Sequence, residues 1–353
     1  MKKFLLWSLA VIAVLVGAGL DARGEDPAEI VESETVMKAL RAYSERDMAK
    51  AIFYLRKEIK DNPTNGYANL LLGIIHSQIG EYSKALEPLN NALTYIPADD
   101  KKSISQALDS KGEILIELGD SAKAFECFDQ AISLKPNNAN ALLNRANAYH
   151  DKRDYDRADK DYAALCQLMP TEPKGYLGLA RNNLERDNYN GALTILNDAI
   201  ELIPNDGNVY LMRSEAYFLL DKLDDAVDDL LKGISCDNNE AATNRLLSLT
   251  DEPREILKRH LLAIAEKSTD SFWYGLLGMY LQEDKEYNKA IDCFYKANAL
   301  ADNHFYHLGI SECYFNLGDN AKALEAVDKA IELYPLENDL INLKLKILDA
   351  MEQ

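Results

Sequence analysis

Between Gly66 and Pro97, apolar and small residues recur at helical rather than strand spacing. Leu72 and Gly73 lie on one predicted helix, and Ala85, Leu89, Ala92 and Leu93 follow at i, i+4, i+7 and i+8 on a second. Gly80 supplies the turn between them. Pro97 ends the second helix, because proline has no amide proton to donate and disfavours helical geometry in the residue before it. Two antiparallel helices on a short connection approach closely only where side chains are small, which is the steric use of Gly73 and Ala85. The predicted unit is a helical hairpin.

The hairpin recurs. Equivalents of Ala85 stand at Ala51, Ala124, Ala158, Ala192, Ala226, Ala290 and Ala323, and the successive intervals are 34, 39, 34, 34, 34, 64 and 33 residues. Twelve residues after these markers come Pro63, Pro97, Pro136, Pro170, Pro204 and Pro335, with Asn238 and Asp302 in the other two units. Twelve residues before them lies a small residue: Ala39, Gly73, Gly112, Ala146, Ala180, Ser214, Gly278 or Ser311. At these residues the chain resembles the tetratricopeptide repeat, a 34-residue unit. The resemblance runs from about residue 30 to the C-terminus. It implies an all-α fold, a right-handed superhelical solenoid of stacked antiparallel helix hairpins with a C-terminal capping helix.

The expected organisation is a signal peptide at residues 1–22, repeats one to six over 26–238, a degenerate shortened hairpin over 239–270, repeats eight and nine over 271–335, and a capping helix over 336–353. Lys2 and Lys3 precede an uncharged apolar run from Phe4 to Gly19. That run is shorter than the roughly 18–20 residues that span a bilayer, so it reads as a cleaved export signal. The competing reading is an inner-membrane anchor formed by residues 4–20. Asp26, Pro27 and Glu29 make a helix start, with proline at the first helical position. Glu58, where a small apolar residue is expected, and Lys38, where a leucine is, mark a degenerate first repeat with one face toward solvent. Ala98 to Lys102 holds the five extra residues of the long interval, as a longer loop or an extended helix start. Residues 239–270 have room for a short helix near 241–249 and another opening at Pro253, with Leu257, Leu261 and Ile264 as an apolar stripe. A change of superhelical pitch is expected there. The last helix places Leu340, Leu343, Ile347 and Met351 on one face, and its remaining polar residues predict a solvated back.

Composition narrows the function. With 58 Asp and Glu against 39 Lys and Arg, the net charge is −19. Nucleic-acid binding, which rests on cations that neutralise phosphates, is therefore not expected, whereas basic segments of a protein partner are. Cys127, Cys166, Cys236, Cys293 and Cys313 have no paired spacing for zinc or dithiol chemistry, and Cys293 with Cys313 is the one pair suited to a disulfide. His304 and His307 share a helix face without a third ligand. Asp224, Asp225, Asp228 and Asp229 surround Ala226 and Leu230 and read as a solvated helix face. No phosphate-cradling loop, HExxH or nucleophile elbow is present. The reading is a non-enzyme without metal or cofactor.

The resemblance further implies that the first helices of successive repeats line a concave groove that binds protein or peptide partners. The groove positions that the resemblance points to are Asn144, Asn147, Arg181 and Leu177 with Glu215 and Phe218. Asparagine and arginine pair with a peptide's backbone and carboxylates, and the leucine and phenylalanine add apolar contact. Two groove chemistries of the family do not carry over, since Leu143 and Gly178 stand at positions that the chaperone-tail carboxylate clamp uses, and an asparagine ladder would need asparagine at Leu71, Ser110, Gly178 and Met212. The expected function is an exported, periplasmic or secreted scaffold that binds proteins. The alternative is a chaperone-like holdase or assembly factor for exported proteins, without the His-Pro-Asp of a J-domain.

Overall fold

The computed structural model describes residues 33–237 and 240–352. The predicted signal peptide, the helix start at Asp26 to Glu29 and the helix stop at Asn238 lie outside those residues. Among the described residues there are nineteen α-helices and no strand. They form two compact units, one ending at Ile203 and the other beginning at Pro204.

The first unit contains five hairpins: α1 (Glu34–Ser44) with α2 (Met48–Asp61), α3 (Gly66–Gln78) with α4 (Tyr82–Tyr95), α5 (Lys101–Glu117) with α6 (Ser121–Leu134), α7 (Ala139–Asp151) with α8 (Tyr155–Leu168), and α9 (Pro173–Glu185) with α10 (Tyr189–Leu202). Within this unit α3, α5, α7 and α9 each pack on their hairpin partner and on the first helix of the adjoining hairpin. The extra residues before the third hairpin extend α5 to 17 residues. Asp100 begins that helix by accepting the Ser103 amide at 3.0 Å.

The packing gives the repeated small residues their reason. Every marker alanine in both units, from Ala51 to Ala323, has no exposed surface. A Cβ added at Gly112 would lie 2.5 Å from the Phe128 ring, closer than contact allows. The turns inside the hairpins share one left-handed residue, which is glycine at Gly80, Gly119 and Gly318 but Arg46, Arg153, Asp187, Asp221 and Lys285 elsewhere. At the first hairpin Glu58 does not face water. It is 7 % exposed and accepts hydrogen bonds from the Ser33 hydroxyl and from Asn65.

The second unit contains α11 (Gly207–Leu219), α12 (Leu223–Asp237), α13 (Glu240–Leu247), α14 (Asp251–Ala265), α15 (Ser271–Glu283), α16 (Tyr287–Leu300), α17 (His304–Asn316), α18 (Asn320–Leu333) and α19 (Asn338–Glu352). The irregular stretch is part of its core. Both α13 and α14 pack on α12, and Leu246, Leu257 and Leu261 are fully buried.

Two expectations are corrected here. Asp229 is not on a solvated face, because it is 4 % exposed and takes two hydrogen bonds of 2.7 Å from the Arg213 guanidinium. The side of α19 away from the core is not polar throughout. Leu340 and Ile347 are buried as expected, yet Met351 is half exposed, and Ile341, Leu345 and Leu348 form a second, exposed apolar stripe. Cys293 and Cys313 are buried free thiols, and burial pushes Cys313 up to about 12.

Candidate functional site

Four of the six predicted groove residues lie on α7 and α9, whose register repeats along α5. Gln106, Asn140 and Lys174 are successive equivalents at 34-residue intervals, as are Glu113, Asn147 and Arg181, and again Glu117, Asp151 and Glu185. Equal spacing on helices that pack side by side places each set in one row across the face.

The second of these rows is internally bonded. The Tyr162 hydroxyl, reaching from α8, donates to Asn147 Oδ1 at 2.7 Å. Arg181 Nη2 in turn donates to the Tyr162 oxygen at 3.0 Å and to Asn147 Oδ1 at 3.4 Å. Arg181 Nε is buried with no hydrogen-bond partner among the described residues. Burial raises the Tyr162 phenol, although the adjacent guanidinium opposes the shift. Sequence reasoning missed Tyr162, whose signal is that it takes the slot of Phe128, 34 residues earlier, and brings a hydroxyl to it. Leu177 is half-buried, one turn before Arg181.

One turn nearer the helix starts, Asn144 Nδ2 donates to Asp109 Oδ1 at 2.9 Å. Asp109 is 5 % exposed, and burial pushes its carboxyl up to about 7 against the pull of the Asn144 bond. Toward the helix ends, Glu117, Asp151 and Glu185 are exposed and make no ion pair among the described residues.

Glu215 and Phe218 belong to the second unit. There Arg245 of α13 donates to Glu215 Oε1 at 2.7 Å and lies 4.7 Å from the centre of the Phe218 ring. The histidines named in the sequence are separately engaged, His304 with Glu337 at 3.2 Å and His307 with Asp302 at 2.7 Å. Among the described residues no group of three His, Cys, Asp or Glu side chains is arranged to hold a metal.

At the N-terminal ends of α5, α7 and α9 a cleft of about 350 Å³ opens beside the groove face. Lys102, Lys135 and Lys174 line it, with Leu143, Leu168 and Met169 as apolar wall and Asn140 at the edge. Periodicity reads helix faces and passed over it, since Lys135 and Met169 sit in the connections between hairpins.

A family model described as TPR repeat matches residues 112–153, and one described as tetratricopeptide repeat matches 139–171 and 306–335. Residues 112–171 and 306–335 carry tetratricopeptide repeats. The chain is 36% identical over 100 residues to protein O-mannosyl-transferase TMTC1 of Mus musculus, covering 28% of this chain and 10% of that one. It is 27% identical over 187 residues to BBSome complex member BBS4 of Bos taurus, covering 51% and 34%. The chain thus spans 10% of the first relative's length and 34% of the second's. Among solved structures, PilW, a type IV pilus biogenesis factor, shares the TPR fold with a TM-score of 0.52 and 17% identity, over 61% of this chain and 97% of that one. TPR arrays are protein–protein interaction scaffolds and typically non-catalytic, and the match to the transferase covers only a tenth of that enzyme's length.

Proposed function

We propose that this chain is a non-catalytic adaptor, exported to the cell envelope, that holds a protein partner through an extended segment laid on the first helices of its middle repeats. The observation that carries the reading is Arg181. Its guanidinium is held in place by Tyr162 and Asn147, meets no carboxylate among the described residues, and keeps a buried donor unused. A planar cation fixed by neutral neighbours is a prepared receptor for a peptide carboxylate or carbonyl. The exposed acids Glu117, Asp151 and Glu185 attract basic segments of the same partner, so association slows with added salt. Lys2, Lys3 and the apolar run to Gly19 support export.

The test begins with crosslinked recovery of the native partner from the cell envelope by the full chain. Arg181→Ala and Asn147→Ala should then each weaken its binding about tenfold, which corresponds to roughly 1.4 kcal/mol, with unchanged helical circular dichroism. Unchanged affinity in both variants, together with loss on altering exposed residues of the second helices, would move the site to the opposite face. Full-length protein found in the cytoplasm with Met1 to Leu20 intact would remove the export part.

A further inference from the structure

We propose that the cleft at the N-terminal ends of α5, α7 and α9 receives the acidic, aliphatic end of the bound segment and so sets the direction in which that segment lies. This rests on the peptide-binding reading above and adds a polarity to it. In a chain of net charge −19, the cleft is lined by three lysines and a single carboxylate, Glu172. Lys102 and Lys174 are exposed. Lysine is a mobile point charge that receives carboxylates without demanding one geometry. Beside these charges Leu168 and Met169 are 38% and 39% exposed, an apolar wall left open next to cations. Helix polarity acts the same way. Pro173 opens α9, and Glu172 before it makes no side-chain capping bond, so the positive end of that helix is uncapped at the cleft. Charge and wall together fit aliphatic residues interleaved with Glu or Asp.

The opposite edge of the face carries the opposite charge in Glu117, Asp151 and Glu185. Lys174 and Glu185 are eleven residues apart on one helix, about 16 Å at 1.5 Å per residue. An extended chain covers that in about five residues. One short segment with an acidic-aliphatic block and a basic block therefore reaches both edges at once, and only in one direction.

The probe is a nonapeptide, acetylated and amidated, reading Lys-Lys-Gly-Ser-Gly-Ser-Leu-Glu-Leu, with a benzophenone amino acid replacing a leucine or, in a second version, the first lysine. Photocrosslinking to the full chain is read by mass spectrometry. The leucine-end label should attach within residues 137–143 and 168–175, and the lysine-end label near Glu117, Asp151 and Glu185. The combined change Lys102→Glu, Lys135→Glu and Lys174→Glu should lower affinity at least tenfold and abolish the first set of crosslinks. Lys102→Glu and Lys174→Glu alone, both at exposed sites, should each weaken binding if the combination does not fold. Reversed or scattered crosslinks, unaltered affinity in the lysine variants, or no saturable binding overturns the proposal. If the native partner depends on Arg181 and Asn147 yet ignores the lysine changes, the polarity fails and the adaptor reading stands. If it ignores all of them, both fail.

Discussion

Asn144 donates to the Asp109 carboxyl at 2.9 Å, joining the first helix of one hairpin to the first helix of the hairpin before it. The bond is made by a carboxyl that burial has pushed up to about 7. It ties two neighbouring repeats together beneath the face assigned to the partner.

The pH dependence of stability follows from that shift. An unfolded aspartate titrates near 4, so between about pH 4 and pH 7 the folded chain holds a proton that the unfolded chain has released. The contribution is full below pH 4 and lost as pH rises through 7. Asp109→Asn keeps an acceptor for Asn144 and never ionises. It should raise the melting temperature relative to the parent at pH 8, by the equivalent of a few kcal/mol, and change it little at pH 4. An equal shift at both pH values would show that the folded and unfolded chains release the Asp109 proton over the same pH range.

The buried pair in the second unit makes a different prediction. Arg213 and Asp229 repeat, 68 residues on, the pair of Arg145 with Asp161, which is joined by two bonds of 2.8 Å. Asp229→Ala takes a carboxylate away from a largely buried guanidinium and should cost about 3 kcal/mol in urea unfolding. Replacing both partners by apolar residues, Arg213→Met with Asp229→Leu, should recover most of that loss, since the desolvation penalty of both charges disappears. A double variant as unstable as the single one would show that the pair gives more than it costs to bury.

The last prediction concerns cooperativity. Ala158 has no exposed surface where α8 crosses α7. Ala158→Lys puts both volume and charge into that crossing and should destabilise it by several kcal/mol. Because each hairpin is held by its neighbours, hydrogen exchange should accelerate most in α7, α8 and the adjoining hairpins. A uniform rise from α1 to α19 would contradict nearest-neighbour stabilisation.

The helical hairpin was legible in the amino-acid order alone, because its requirements are local and recur. Ala85 needs a small partner at Gly73 twelve residues away, a turn between them and a proline beyond, and each successive unit restates the same short-range sterics. Asp229 shows where that logic stops. In the sequence it is one of four clustered acids, Asp224, Asp225, Asp228 and Asp229, and only the placement of Arg213, sixteen residues earlier on the packed partner helix, makes it a buried ion pair. The same holds for Arg181, whose setting depends on Tyr162 reaching over from α8, and for Lys102, Lys135 and Lys174, which come from three hairpins to one cleft. The exposed stripe of Ile341, Leu345 and Leu348 likewise could not be told from a core face by period, since α19 carries apolar residues on two sides and packing chose which to bury. Pattern along the chain set the hairpins, while contacts between helices distant in sequence set the charges, bonds and openings of the face they present.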